Sequence, residues 1–310
     1  MKDKIALITG LNGFLATNLA GALIEKGVKV AGIPRETLAN PMLLDDFVSG
    51  LSPNYIFHFA AYGNHYDQDD DDEIVSTNIL KTYFLFTATK YIDYECFINV
   101  SSSSVYGAKS TPMKEDMLLE SDTMYGVTKI ASESIARAFA KKYNKPIINI
   151  RPFSVYGPGE AGHRFIPTLI TAIKKEEMEF TLDPNASHDW IYVEDFINGI
   201  FAVIANAKDF IGKSVNIGTG KQHTNKEVAE TLVSIANAKS PMRLKETTLL
   251  RSYDTTNWIA DTSLLRHVGF RPKFTLKEGL SNTYEYYNNL KPRNDLDRAM
   301  EQSLRMVNAL

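Results

Sequence analysis

Ile5-Ala6-Leu7-Ile8-Thr9-Gly10-Leu11-Asn12-Gly13-Phe14-Leu15-Ala16 passes from an apolar run, through two glycines, into a segment with helical spacing. The four apolar residues suit a buried strand. Beyond them, Phe14, Leu15, Leu19, Leu23 and Ile24 recur at threes and fours, which predicts a helix over 14–26. Gly10 permits a tight turn off the strand. Gly13 removes a side chain where an anion would approach the backbone. The first N–H groups of such a helix are unpaired, and its dipole is positive there, so the turn suits a pyrophosphate. Gly10, Asn12, Gly13, Phe14 and Leu15 are therefore candidate contacts for a dinucleotide. Ala16 stands where a third glycine is commoner and still allows close helix–strand packing.

The same alternation continues outward. Gly27 closes the helix and 28–33 reads as a second strand, followed by a short helix over 42–49 and a third strand over 55–59. A helix over about 73–90 precedes a strand at 96–100, and another over 124–143 precedes one at 146–150. Apolar strands separated by amphipathic helices predict a parallel sheet covered on both faces: an α/β, Rossmann-type, doubly wound fold. After Arg151 the rhythm changes, with Pro152, Pro158, Pro167 and Pro184 punctuating shorter elements. Strands near Phe180 and Val215 and helices over 193–207 and 225–238 suggest a smaller C-terminal α/β substrate lobe whose chain crosses back to the sheet. The expected division is 1–151 mainly dinucleotide-binding, 152–290 mainly substrate-binding, and 291–310 a helical tail.

Composition narrows the partners. The 310 residues carry a formal net charge of −3 with no long basic run, which argues against a nucleic-acid partner. The single cysteine, Cys96, excludes an intrachain disulfide and multi-cysteine zinc sites, and reads as a small core residue. No stretch approaches the ~20 apolar residues a membrane helix needs. The expectation is a cytoplasmic protein with no membrane partner. The acidic run Asp69 to Glu73 reads as a helix start, where carboxylates meet the positive end of the dipole, rather than as a metal site; no metal is expected.

The second strand ends Ala31-Gly32-Ile33-Pro34-Arg35. An acid at that tip would hold the ribose hydroxyls of NAD. None is present, and a guanidinium suits a 2′-phosphate, so Arg35 favours NADP with NAD possible. Further along, Tyr125 and Lys129 stand one helical turn apart. A phenol titrates at about 10 when unperturbed, and a nearby ammonium makes its proton transferable closer to neutral pH. The hydroxyl cluster Ser101-Ser102-Ser103-Ser104 follows an apolar strand, at the edge where open α/β sheets bind ligands.

The turn 9–16, His58-Phe59-Ala60-Ala61, Ser101 to Gly107 and Tyr125 to Lys129 fall in an order that resembles the extended short-chain dehydrogenases/reductases, the NAD-dependent epimerase/dehydratase type. The segments Arg151-Pro152-Phe153-Ser154-Val155-Tyr156-Gly157-Pro158-Gly159, Asp189 to Asp195 and Asn216 to Gly220 extend the resemblance over about 4–288. It implies an oxidoreductase acting on a nucleotide-linked sugar, with Ser102, Tyr125 and Lys129 catalytic. Ser102 would hold the substrate oxygen, Tyr125 would exchange its proton, and Lys129 would bind the nicotinamide ribose. Ala60 and Ala61 would line the cofactor. Ser103, Ser154, His188 and Arg251 would meet the substrate, Arg251 at its diphosphate. The family often forms homodimers, commonly through the helix carrying Tyr125 and the helix before it.

The resemblance also sorts the reactions. Family 4,6-dehydratases carry an acid and a carboxylate base after the catalytic hydroxyl, where this chain has Ser103 and Ser104. Decarboxylases, which usually place a Glu there, are disfavoured too. Two readings remain: an NADPH-dependent reductase of a 4-keto-(6-deoxy)sugar nucleotide, and an NAD-dependent nucleotide-sugar 4-epimerase. Arg35, the short link to Tyr55, and Phe165-Ile166-Pro167 after Gly157-Pro158-Gly159 favour the reductase. Two departures bear on substrate contacts: His188 stands where an Arg is frequent, and Ser154 where an Asn is frequent. A non-catalytic dinucleotide sensor or scaffold ranks last, because such proteins typically lose the Tyr or Lys.

Overall fold

A computed structural model describes residues 1–65, 67–176, 179–237, 243–247 and 257–289. The chain begins with β1 (Ile5–Thr9), α1 (Phe14–Glu25), β2 (Lys29–Gly32), α2 (Arg35–Ala39), α3 (Pro41–Leu51) and β3 (Tyr55–His58). It continues through α4 (Asp71–Val75), a π-helical stretch (Ser76–Lys81), α5 (Thr82–Thr89), β4 (Cys96–Val100), a short 3-10 turn (Ser103–Tyr106), α6 (Met124–Tyr143) and β5 (Ile147–Pro152). Then follow β6 (Ser154–Tyr156), α7 (Phe165–Lys174), β7 (Glu179–Leu182), β8 (Ser187–His188), β9 (Trp190–Tyr192), α8 (Val193–Ala205), α9 (Ala207–Phe210) and β10 (Ser214–Ile217). The last elements are β11 (His223–Thr224), α10 (Asn225–Ala236), β12 (Arg243–Glu246), α11 (Ser263–His267) and α12 (Leu276–Asn288).

Six strands form one parallel sheet in the order β2-β1-β3-β4-β5-β10. β1 is apolar along its length because both of its faces are covered. Ala6 and Ile8 pack with Leu19 and Leu23 of α1 and Phe196 and Ile200 of α8. Leu7, pointing the other way, joins Leu44 and Val48 of α3, Phe86 of α5 and Ala136 of α6. The strand order reverses at β1, with β2 on one side and β3 on the other. A ligand crevice opens beyond the carboxyl ends of strands at such a switch point. The turn 9–16 leaves β1 there.

β10 returns from beyond residue 151 to pair with β5. The rest of the second half makes three two-stranded sheets, β6–β9, β7–β12 and β8–β11. Cys96 is buried, and burial pushes its thiol up to about 12, so it behaves as a core residue. Among the described residues, no helix is long and apolar enough to cross a membrane. The tail expected over 291–310 lies outside the described residues.

Two local features differ from the sequence reading. The helix expected over 73–90 spans 71–89 and carries the π-helical stretch at its centre. That wider turn places Asn78 inward and fully buried. The short α2 was not anticipated, being only five residues long and too brief to show periodicity. Asn40 then starts α3, its side chain accepting from Met42 N at 3.1 Å and Leu43 N at 3.3 Å, with Pro41 at the first helical position.

Candidate active site

The turn from β1 to α1 is built for close approach. Gly10 adopts a φ of +65°, and a Cβ there would stand 3.0 Å from the Ala60 backbone nitrogen. Gly13 N donates to Gly10 O at 2.9 Å, and a Cβ on Gly13 would come 3.1 Å from that oxygen. No side chain caps α1, and Asn12 and Gly13 are exposed. The first N–H groups of the helix are therefore presented to whatever occupies the crevice. This cradle fits a dinucleotide pyrophosphate. Gly10→Ala is expected to cost about 1–2 kcal/mol of stability through the left-handed conformation alone. The clash with Ala60 is expected to weaken dinucleotide binding further, by roughly tenfold or more. Urea unfolding and a binding titration read the two effects.

The opposite wall comes from the end of β3. His58 is fully buried between Thr9 Oγ1 (2.7 Å from Nδ1) and Thr82 Oγ1 (2.8 Å from Nε2). Burial, with the Lys129 charge adding to it, lowers its pKa to about 3, so it stays neutral. Thr9 Oγ1 also accepts from Ala60 N at 3.0 Å. The threonine thus ties the segment at Ala60 to the strand leading into Gly10. Ala61 is exposed beside it.

Ser102, Tyr125 and Lys129 are brought together at the carboxyl edge of β4. Thr123 caps α6, accepting from Gly126 N at 3.1 Å. A Cβ on Gly126 would collide with the Ser121 hydroxyl and stand 2.7 Å from Ser104 O, so only glycine lets α6 lie against the serine loop. Tyr125, half-buried, has its hydroxyl beside the Ser102 side chain, which acts on the phenol. Ser102 accepts from Ser104 N and donates to Ser104 Oγ, both at 3.1 Å. Burial raises the Tyr125 pKa, while the Ser102 side chain and the Arg164 charge oppose that rise. Lys129 is 2% exposed, and burial lowers its pKa to about 8 against the supporting charge of Glu133. It remains an ammonium at neutral pH. Lys129, to which the resemblance gives the tuning of Tyr125, lies one turn further along α6, and the Arg164 charge also acts on the phenol.

The other anticipated residues are more scattered. Ser103 is buried, its Oγ accepting from Trp258 Nε1 at 3.0 Å. Ser154 is half-buried opposite Trp190, and its N–H donates to Asp189 O at 3.0 Å. His188 stands edge-on to Trp190 with ring centres 5.3 Å apart. Asp189 itself is structural: its carboxylate accepts from Thr219 N and Oγ1, Gly220 N and Ala260 N. Arg35 opens α2, and its Nη2 donates to Glu73 Oε1 at 2.7 Å. Arg251 lies outside the described residues.

Three residues escaped the sequence reading. Asn78 accepts from Tyr62 N at 3.0 Å and donates to Tyr62 O at 2.8 Å and Thr128 Oγ1 at 3.0 Å. It thereby locks the loop after β3 to the helix carrying Tyr125 and Lys129. An asparagine amid Ile74, Leu85 and Phe86 on a predicted helix was the available signal. Arg164 donates to Asn64 O at 2.9 Å, joining the loops after β3 and β6. Glu73, read only as part of a helix start, engages Arg35.

A family model described as the NAD dependent epimerase/dehydratase family matches residues 6–218. The chain belongs to that family, and it is an enzyme of the extended short-chain dehydrogenase/reductase type. A Bacillus subtilis protein described as an uncharacterized UDP-glucose epimerase, YtcB, is 26% identical over 303 residues, covering 94% of this chain and 92% of that protein. The structure of UDP-glucuronic acid 4-epimerase from Bacillus cereus, in complex with UDP-glucuronic acid and NAD, matches at TM-score 0.81 and 26% identity. That match covers 93% of this chain and all (100%) of the other. RMD from Pseudomonas aeruginosa, complexed with NADPH, shares the fold at TM-score 0.81 and 22% identity, over 92% of this chain and 98% of its own.

Proposed function

We propose, for a member of the NAD dependent epimerase/dehydratase family with this site, that the chain moves a hydride to or from C4 of a nucleotide-linked hexose. The closeness of Ser102 to the Tyr125 phenol carries the reading, with buried Lys129 one turn further along α6. Gly10, Asn12, Gly13, Phe14 and Leu15 would hold the pyrophosphate, Ala60 and Ala61 would line the cofactor, and Lys129 would hold the nicotinamide ribose. When bound, the nicotinamide ring supplies or accepts the hydride. Ser102 holds the C4 oxygen while Tyr125 gives or takes its proton. The raised pKa of Tyr125 keeps its phenol protonated at neutral pH, ready to donate in the direction of reduction. Ser154, His188 and Arg251 are assigned to the nucleotide and sugar. Exposed Leu80, Tyr83 and Val127, on the helices flanking this site, support a homodimer formed there.

The reaction this arrangement favours is C4 epimerisation with a retained NAD. Arg35, the residue that pointed to NADPH, is paired with Glu73 instead of standing free. The NADPH-dependent 4-keto reductase is the second reading, supported by the position of Arg35 just past the β2 tip. Ser103 and Ser104 offer no carboxyl for a 4,6-elimination. The intact Ser102, Tyr125 and Lys129 set argues against a sensor or scaffold.

A substrate panel separates these readings. UDP-hexoses and a UDP-uronic acid are incubated with the purified protein, and CDP-, GDP-, dTDP- and UDP-4-keto sugars are added with NADPH. C4 inversion without net NADPH consumption is the expected result. Stoichiometric NADPH oxidation would establish the reductase. Neither reaction with any sugar nucleotide would remove the C4 hydride reading.

A further inference from the structure

β2 ends at Gly32 without an acid, and α2 opens at Arg35 three positions later. The tip nevertheless has a carboxylate within one arginine side chain's reach, delivered from α4. Arg35 Nη2 donates to Glu73 Oε1 at 2.7 Å. The same oxygen accepts from Thr77 Oγ1 at 2.8 Å and from Lys81 Nζ at 3.0 Å. These donors, Thr77 foremost and then Lys81, lower the Glu73 pKa to about 2. The carboxylate is ionised and oriented by three hydrogen bonds on one oxygen. Among the described residues its second oxygen, Oε2, accepts none, and the side chain is 27% exposed.

We infer that Glu73 Oε2 receives the adenosine ribose hydroxyls, replacing the missing acid of β2, and that the site selects NAD over NADP. The inference rests on the reading that the Gly10–Leu15 turn binds a dinucleotide. A ribose 2′-hydroxyl is a donor, and an ionised carboxylate with one open oxygen is its natural acceptor. A 2′-phosphate at the same place would set two anions against each other. Asp70, Asp71 and Asp72 at the start of α4 add to that repulsion. The two nearby cations do not reverse it. Lys81 is buried against Glu73, and the charge of the exposed Arg35 guanidinium is partly offset by the ion pair its Nη2 makes with the same oxygen. An exposed ion pair such as Arg35–Glu73 is cheap to open, but opening it leaves the Glu73 carboxylate facing the phosphate.

The test is binding of NAD and of NADP to the purified protein stripped of dinucleotide, by calorimetry. The wild type is expected to bind NAD at least about tenfold more tightly than NADP. Glu73→Gln is expected to weaken NAD by about 10- to 100-fold, the range for losing a charge-assisted hydrogen bond, without weakening NADP. Arg35→Ala should leave NAD within about threefold, as expected for losing an exposed ion pair. A wild type that prefers NADP overturns the inference, as does a Glu73→Gln protein with an unchanged NAD/NADP ratio. If Glu73→Gln does not fold, the wild-type ratio decides with Arg35→Ala: selective loss of NADP affinity would assign the phosphate to Arg35 and overturn the proposal. Binding of neither dinucleotide would instead remove the parent reading of the glycine turn.

Discussion

Tyr125→Phe is expected to lower kcat by roughly 10²- to 10⁴-fold, the range for removing a positioned proton-transfer group. Phenylalanine keeps the half-buried ring and removes only the hydroxyl that meets Ser102. Packing of α6 against the serine loop, set by Gly126 and the Thr123 cap, is untouched. The glycine turn and Lys129 are also unchanged, so dinucleotide affinity should stay within about threefold of the wild type, a difference below 1 kcal/mol. Turnover and a binding titration on the same preparation separate the two quantities. Near-full turnover would remove Tyr125 from the proposed proton transfer.

Arg151→Met is expected to cost about 3–5 kcal/mol of stability, because it strands a buried carboxylate. Arg151 grips Glu133 with Nε at 2.8 Å from Oε1 and Nη2 at 2.7 Å from Oε2. Their side chains are 4% and 1% exposed. Arg151 Nη1 also donates to Tyr106 OH at 2.8 Å, and that hydroxyl donates to Asn216 Oδ1 at 2.7 Å. The network therefore ties α6, β5 and β10 across the sheet. Without the guanidinium, Glu133 keeps only the Ser214 hydroxyl, at 2.8 Å, among the side-chain donors of the described residues. Urea unfolding measures the loss, and a loss under 1 kcal/mol would show that the network relaxes around the gap. Replacing both partners with apolar residues should restore much of the stability, since no buried charge is then left unpaired.

This network also reaches the active site. Glu133 lies one turn beyond Lys129 on α6, and its charge raises a lysine pKa that burial holds at about 8. Freed from Arg151, Glu133 would favour the ammonium more strongly. In Arg151→Met the Lys129 ionisation should therefore move above its wild-type position. The folded-state pKa is depressed from 10.5, so the wild-type ammonium opposes folding below about 8, and that penalty fades as pH rises towards 10.5. The same shift should narrow that window in the variant.

Much of the fold is written locally. The apolar run 5–8, the two glycines and the threes-and-fours spacing after Phe14 specify strand, turn and helix through neighbouring residues alone. For the same reason the helix expected over 124–143 is α6 (Met124–Tyr143), which puts Tyr125 and Lys129 one turn apart. The sheet's doubly wound form follows from the alternation of such units.

Side-chain partners chosen across long separations were not legible in this way. Arg35 had the chemistry for a phosphate, but α4 brings Glu73 to it from 38 residues away. Ser103 has the place of a substrate contact, and its hydroxyl oxygen also accepts from Trp258, 155 residues away. Tyr125 meets the charge of Arg164 because two loops after β3 and β6 close on each other, at the Arg164–Asn64 bond. Periodicity and glycine positions constrain the backbone over a few residues, so they survive in a one-dimensional reading. Which ion, hydroxyl or indole a side chain finally meets is decided by packing, and packing exists only once the distant elements have come together.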